Sequence, residues 1–195
     1  SLWLDNITRE LLTSGTLERY VRELSVTGLT SNPTIFENAI RGSTAYDDTI
    51  RAKLAQGRSA EELFFELAIE DLSRAAELFH SIFERTDGVD GWVSLEVSPV
   101  LAYDTTATIA AAKALHTRAG RPNLLIKIPG TPEGLPAIEE AIFSGIPVNV
   151  TLLFSVVRYR EVVDAFCRGL EQRAAAGLPI DTIHSVASFF VSRVD

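Results

Sequence analysis

One lysine lies where lysines are rarely left alone. Leu124, Leu125, Ile126 and Ile128 make an apolar run closed by Pro129 and Gly130, and Lys127 sits inside it. A continuous apolar run ended by turn residues reads as a strand covered on both faces. Burying an ammonium there without a partner costs several kcal/mol or drives the group toward its neutral form. A neutral amine attacks carbonyl carbon, so a lysine in this setting is a candidate for Schiff-base chemistry. Two blander readings compete. The side chain could snorkel out of an edge strand, or it could pair with a buried carboxylate. Lys53 and Lys113, the other two lysines, fall in polar or alanine-rich helical segments and are expected in solvent.

Further polar residues recur at or near the ends of other predicted strands: Asp5, Asn32, Glu96, Asn149, Thr151 and Ser188. Each has a dull explanation. Asp5 could cap a helix, Asn32 could serve a turn, Glu96 could pair with an arginine, and Asn149 and Thr151 could satisfy each other. In a (β/α) barrel, however, the C-terminal strand ends share one face and line one site. Polar groups on successive strands are then expected together, around Lys127.

The elements that must position them alternate. Strands are predicted over 1–5, 26–32, 92–98, 124–128, 147–154 and 183–191. Helical patterns cover Thr8 to Leu24, with a break near Thr13–Gly15 and a stripe of Leu17, Tyr20, Val21 and Leu24. Pro33 opens a short helix over Thr34–Ile40, and another covers Thr44–Gln56. Ser59 and Glu62 form a capping box for a long helix to about Arg85, with Leu63, Leu67, Leu72, Ala75, Leu78 and Phe79 on its core stripe. Asp104 caps a helix that Gly120 ends; a further helix runs from Thr131 to Ser144; Ser155 caps the last, to Ala176. Strands alternating with helices predict an α/β fold with a mainly parallel sheet. Neither a GxxxxGK loop nor a GxGxxG turn is present, so the usual nucleotide markers are missing.

Composition narrows the classes. With 195 residues and 46% hydrophobic content, the chain can bury a sizeable core. Its net charge is −8 and it has no basic tract, which argues against nucleic acid and membrane surfaces as partners. No uncharged stretch is long enough to span a bilayer. Cys167, the single cysteine, lies in a helical pattern and reads as a helix-core thiol; a cytoplasmic setting is the expectation. The lack of methionine implies a processed, trimmed or partial chain.

Six segments, in order, resemble the successive barrel-strand motifs of transaldolases: Leu2–Asn6 (LWLDN), Gly28–Phe36 (GLTSNPTIF), Val93–Val97 (VSLEV), Ile126–Thr131 (IKIPGT), Asn149–Ser155 (NVTLLFS) and Ser188–Arg193 (SFFVSR). The resemblance is greatest to the bacterial branch that is sometimes fused to glucose-6-phosphate isomerase. It implies a TIM (β/α)8 barrel, of which this chain carries roughly the first six strands, as one domain over 1–195. It implies a class I aldolase mechanism with no metal and no organic cofactor, acting on sugar phosphates in the pentose phosphate pathway. Lys127 would form the Schiff base. Asp5 would take the proton from the C4 hydroxyl, and Glu96 with Thr151 would hold a proton-shuttling water. Asn32 and Asn149 would bind hydroxyls of the dihydroxyacetone portion, Thr30 and Ser188 would shape the pocket, and Arg193 would clamp the phosphate.

Fructose-6-phosphate aldolases share the lysine strand but carry Gln where Glu96 stands and Tyr at the position of Phe190, so both residues here point to transfer. Ser192 replaces a glycine of many transaldolases, with little expected consequence. Six strands would leave two open edges, and the resemblance implies two further strands with another phosphate-binding group. A six-stranded piece is therefore expected to be a poor catalyst on its own and to associate, as a homo-oligomer or less specifically.

Overall fold

The computed structural model describes residues 1–190. Six strands are present among them: β1 (Trp3–Asp5), β2 (Gly28–Thr30), β3 (Val93–Glu96), β4 (Leu124–Pro129), β5 (Val148–Leu153) and β6 (Ser185–Phe189). Strand order follows chain order, β1-β2-β3-β4-β5-β6. The paired strands run parallel, as in β1–β2 and β4–β5. Helices separate them, which is the connectivity of a partial (β/α)8 barrel. Several strands are shorter than predicted. β2, for instance, stops at Thr30, because Asn32 is already the cap of the following helix. The chain divides into two compact units, the first made of Ser1–Leu95 with Arg121–Leu124, the second of Glu96–Gly120 with the residues from Leu125 on.

In the first unit, α1 (Arg9–Thr13) is capped by Thr8, whose hydroxyl accepts from Leu11 N at 3.1 Å. Gly15, at φ +74°, makes the expected break before α2 (Thr16–Glu23). Leu17 is fully buried, but Leu24 is 57% exposed, because the helix ends before it and takes it off the stripe. α3 (Pro33–Arg41) has Pro33 at its start. The helix predicted over 44–56 divides into a 3₁₀ turn, Thr44–Tyr46, and α4 (Asp47–Ala55). α5 (Ala60–Arg85) carries the capping box of Ser59 and Glu62, and buries Leu67, Leu72, Ala75 and Phe79. Lys53, expected in solvent, is largely covered and pairs with Glu66.

A buried polar cluster explains the turn at Tyr46. The Tyr46 hydroxyl donates to Asp71 Oδ2 at 2.8 Å and accepts the Arg9 backbone N–H at 2.9 Å. Arg9 Nε donates to Asp71 Oδ1 at 3.0 Å, and the guanidinium lies over the Tyr46 ring. Burial pushes the Asp71 carboxyl above the usual range, against the pull of Tyr46 and Arg9. The Tyr46 phenol is also pushed up, first by burial and then by the Asp71 charge. A raised phenol gives stability that is fully present below the ordinary tyrosine value of about 10 and is lost as pH rises through the higher folded value. Guanidinium unfolding midpoints from about pH 9 to about pH 11 should therefore fall more steeply for the parent than for Tyr46→Phe. Parallel curves would contradict this account of the cluster.

The second unit contains α6 (Thr105–Ala119), capped by Asp104 and closed by Gly120 at φ +56°. It also holds α7 (Gly134–Phe143) and α8 (Val156–Ala175), the latter capped by Ser155. α7 and α8 approach closely at Gly169, where a Cβ would lie 2.7 Å from the Glu139 carbonyl oxygen. Ile126, Ile128, Ile138, Ile142, Val148 and Val150 are fully buried. Lys113 is exposed as expected, although it bonds Glu140 at 2.7 Å. Cys167 is exposed, contrary to its reading as a core thiol. The buried stripe of α8 is Val162, Ala165, Gly169 and Arg173, and Cys167, two residues past Ala165, is turned to the opposite side. Among the described residues, no helix is long and apolar enough to cross a membrane.

Candidate active site

β4 is buried along its whole length, so Lys127 is 4% exposed. Its Nζ lies 3.1 Å from Glu96 Oε2. The pair is positioned by backbone: Val97 N donates to the Lys127 carbonyl at 3.1 Å, which sets the end of β3 beside the lysine. Of the readings open for Lys127, the structure realises pairing with a covered carboxylate, and the carboxylate is Glu96. The snorkelling alternative is excluded by the burial of the side chain. Glu96, whose blander reading anticipated an arginine, has a lysine as an ion-pair partner among the described residues.

β5 supplies the next groups. The register sets Asn149 beside Lys127 and Thr151 beside Pro129. Both are buried, and their spacing of two puts them on one face of the strand. Gly130 N donates to the Thr151 carbonyl at 2.8 Å, so the turn after β4 is bound to the same strand. Ser188 on β6 donates its hydroxyl to Asn149 Oδ1 at 2.7 Å, which ties β6 to the same face. Beyond Thr151 the β5–β6 register shifts. Leu152 takes φ +61° and turns outward. A left-handed residue other than glycine costs of order 1 kcal/mol, and such strain is held only where the surroundings impose it. Phe190 lies past β6 with its ring 6.5 Å from that of Phe154. Arg193 falls outside the described residues.

The turn after β4 is crowded. The Thr131 hydroxyl donates to the Ala102 carbonyl at 2.6 Å and accepts from Gly134 N at 3.0 Å. A Cβ at Gly134 would overlap the Pro129 carbonyl oxygen, so only glycine permits this close return of the chain. Sequence reading gave Thr131–Gly134 only the role of opening a helix, which in the structure begins at Gly134.

In the first unit, Asp5 ends β1 and its register partner is Thr30, the last residue of β2. Asp5 is exposed and does not cap α1; Thr8 does. The Thr30 hydroxyl oxygen is buried without a hydrogen-bond partner among the described residues. Asn32 does the turn work its blander reading foresaw, since its Oδ1 accepts from Ile35 N at 2.9 Å and caps α3. The structure thus brings Lys127, Glu96, Asn149, Thr151 and Ser188 together in the second unit and gathers Asp5, Thr30 and Asn32 at strand ends of the first.

A family model described as transaldolase/fructose-6-phosphate aldolase matches residues 2–195. The transaldolase of Thermobifida fusca (strain YX) is 53% identical over all of this chain, which covers 53% of that protein. For the transaldolase of Arthrobacter sp. (strain FB24) the identity is 51%, with 53% of the protein covered, and for that of Trichodesmium erythraeum (strain IMS101) it is 48%, with 51% covered. The chain thus spans about half the length of the curated relatives it matches. With a family match over residues 2–195 and a lysine–glutamate pair held on adjacent strands, this chain belongs to the transaldolase/fructose-6-phosphate aldolase family.

Proposed function

We propose that the whole protein is a transaldolase, moving a dihydroxyacetone unit from a ketose phosphate to an aldose phosphate. The observation that carries this reading is the 3.1 Å contact of Lys127 Nζ with Glu96 Oε2 inside a covered strand. A carboxylate at that distance can take a proton from the ammonium and return one to a leaving hydroxyl. Nζ then attacks C2 of the ketose, the carbinolamine forms, and water leaves as the imine is made. Glu96, with the Thr151 hydroxyl, would hold the water that carries these protons.

Cleavage follows from the imine. The C4 hydroxyl gives its proton to Asp5, the C3–C4 bond breaks, and its electron pair passes into the C2 imine as an enamine. An aldose phosphate departs. The enamine adds to the aldehyde of the acceptor, the same steps run in reverse, and hydrolysis frees Lys127. Asn149, fixed by Ser188, and the Asn32 amide would hold the hydroxyls of the three-carbon unit, with Thr30 and Phe190 shaping the pocket. Arg193 would clamp the phosphate through charge-assisted bonds.

Sugar phosphates are anionic and do not cross membranes unaided, which places such an enzyme in the cytoplasm where they are made. The 195 residues then belong to one transaldolase-type barrel domain. Exposed Val156, Val157, Tyr159 and Phe189 in the second unit favour a covering protein surface, either a second copy or a fused isomerase domain.

Glu96 and Phe190 favour transfer over simple aldol cleavage, because the resemblance associates Gln and Tyr at these positions with the aldolases. The test is a coupled assay with fructose 6-phosphate and erythrose 4-phosphate. Sedoheptulose 7-phosphate and glyceraldehyde 3-phosphate should appear together. Release of free dihydroxyacetone without an acceptor, at the same rate, would assign the protein to the aldolases instead.

A further inference from the structure

We propose that the buried Arg9–Tyr46–Asp71 cluster is a positioning device for Asp5, rather than only a stabilising contact; the inference rests on the transaldolase reading. Asp5 ends a strand of three residues and is exposed. Its side chain has no hydrogen bond or ion pair among the described residues, and the backbone that carries it sets where its carboxylate lies. On one side that backbone pairs with β2, through Trp3 with Gly28, Leu4 with Leu29 and Asp5 with Thr30. Gly28 fits tightly there: a Cβ would lie 2.7 Å from the Trp3 indole.

Past Asp5 the chain is fixed within four residues. Ile7 is fully buried, Thr8 caps α1, and Arg9 is 7% exposed. Arg9 Nε donates to Asp71 Oδ1, and Nη2 lies 3.0 Å from the same oxygen and 3.3 Å from Glu70 Oε2. Its Nη1 reaches Thr49 Oγ1 at 3.4 Å. Tyr46 closes the ring, donating to Asp71 Oδ2 while accepting the Arg9 N–H. One carboxylate on α5 therefore secures both the segment that follows Asp5 and the turn after α3, whose cap is Asn32.

Stability alone is a poor reason for such a cluster. An apolar replacement of similar volume is often as stable as a buried ion pair, whereas directional bonds fix a geometry. Reaction rates are sensitive to that geometry, since a misplacement of about 1 Å can cost on the order of 10²-fold.

The experiment separates two steps of one turnover in the whole protein. Imine formation, trapped by borohydride with fructose 6-phosphate, depends on Lys127 and Glu96. Release of glyceraldehyde 3-phosphate depends on Asp5. For Tyr46→Phe, single-turnover release should slow about tenfold, while the rate of imine trapping stays within about twofold of the parent. Should too little of that variant fold, Thr49→Val, which removes only the outermost acceptor of Arg9, is measured the same way, with a threefold loss of release expected at about parental trapping. Parental release in the folded variant, or equal losses in both steps, overturns the positioning role. A parent that traps no imine at Lys127 overturns the transaldolase reading, and the role falls with it; a parent that traps and releases normally confines any failure to the positioning claim.

Discussion

Lys127→Met should abolish turnover, with a loss of at least about 10⁴-fold, because no other lysine lies in a covered strand of the second unit. The variant should also be less stable. Methionine fills similar volume, but it removes the ammonium that lies 3.1 Å from Glu96, whose side chain is only 13% exposed. Removing one partner of a covered pair costs about 3–5 kcal/mol. Adding Glu96→Gln to Lys127→Met should restore most of that stability and none of the activity. Urea midpoints and the coupled transfer assay on both proteins give the answer. A double variant no more stable than Lys127→Met would show that the pair is not held as described. Measurable transfer by Lys127→Met would remove the lysine from the mechanism.

The second large effect separates the two carboxylates. Asp5→Ala and Glu96→Gln should each lose on the order of 10²–10⁴ in rate, the range for a positioned acid or base, but at different steps. Without Asp5, the imine should form and then stall before the C3–C4 bond breaks. Borohydride should accordingly trap the intact six-carbon sugar phosphate on the protein. Without the Glu96 carboxylate, imine formation should itself be slow and little adduct of either size should accumulate. Intact-mass spectra taken during one turnover distinguish these outcomes. Near-parental rates in both variants, or the same trapped species in both, would reject the assignment of roles.

Much of the scaffold was legible because local chemistry decides it. The Ser59–Glu62 capping box, the Gly120 stop and the apolar run around Lys127 act over a few residues, and each appears where the sequence places it. The family resemblance and the strand-end polar residues marked the site, and the structure joins five of them in the second unit. What stayed hidden depended on distant partners. Nothing near Lys127 in sequence specifies Glu96, 31 positions earlier, as its partner; adjacent parallel strands create that contact. Thr44–Gln56 reads as one helix until the Tyr46 hydroxyl is drawn to Asp71, 25 residues on. Asp71 itself gave a signal that passed unused, a carboxylate between Ala68 and Leu72 on the buried face of α5. Cys167 misled because an apolar helix segment does not by itself say which side faces the core.

The central claim is that Lys127 is the nucleophile, and one measurement addresses it directly. The unmodified whole protein is incubated with fructose 6-phosphate, reduced with borohydride, digested and mapped by tandem mass spectrometry. The account predicts a reduced three-carbon dihydroxyacetone unit on Lys127, blocked by prior addition of excess acceptor aldose phosphate. A stable adduct on Lys53 or Lys113, or none on any lysine while transfer proceeds, would contradict it.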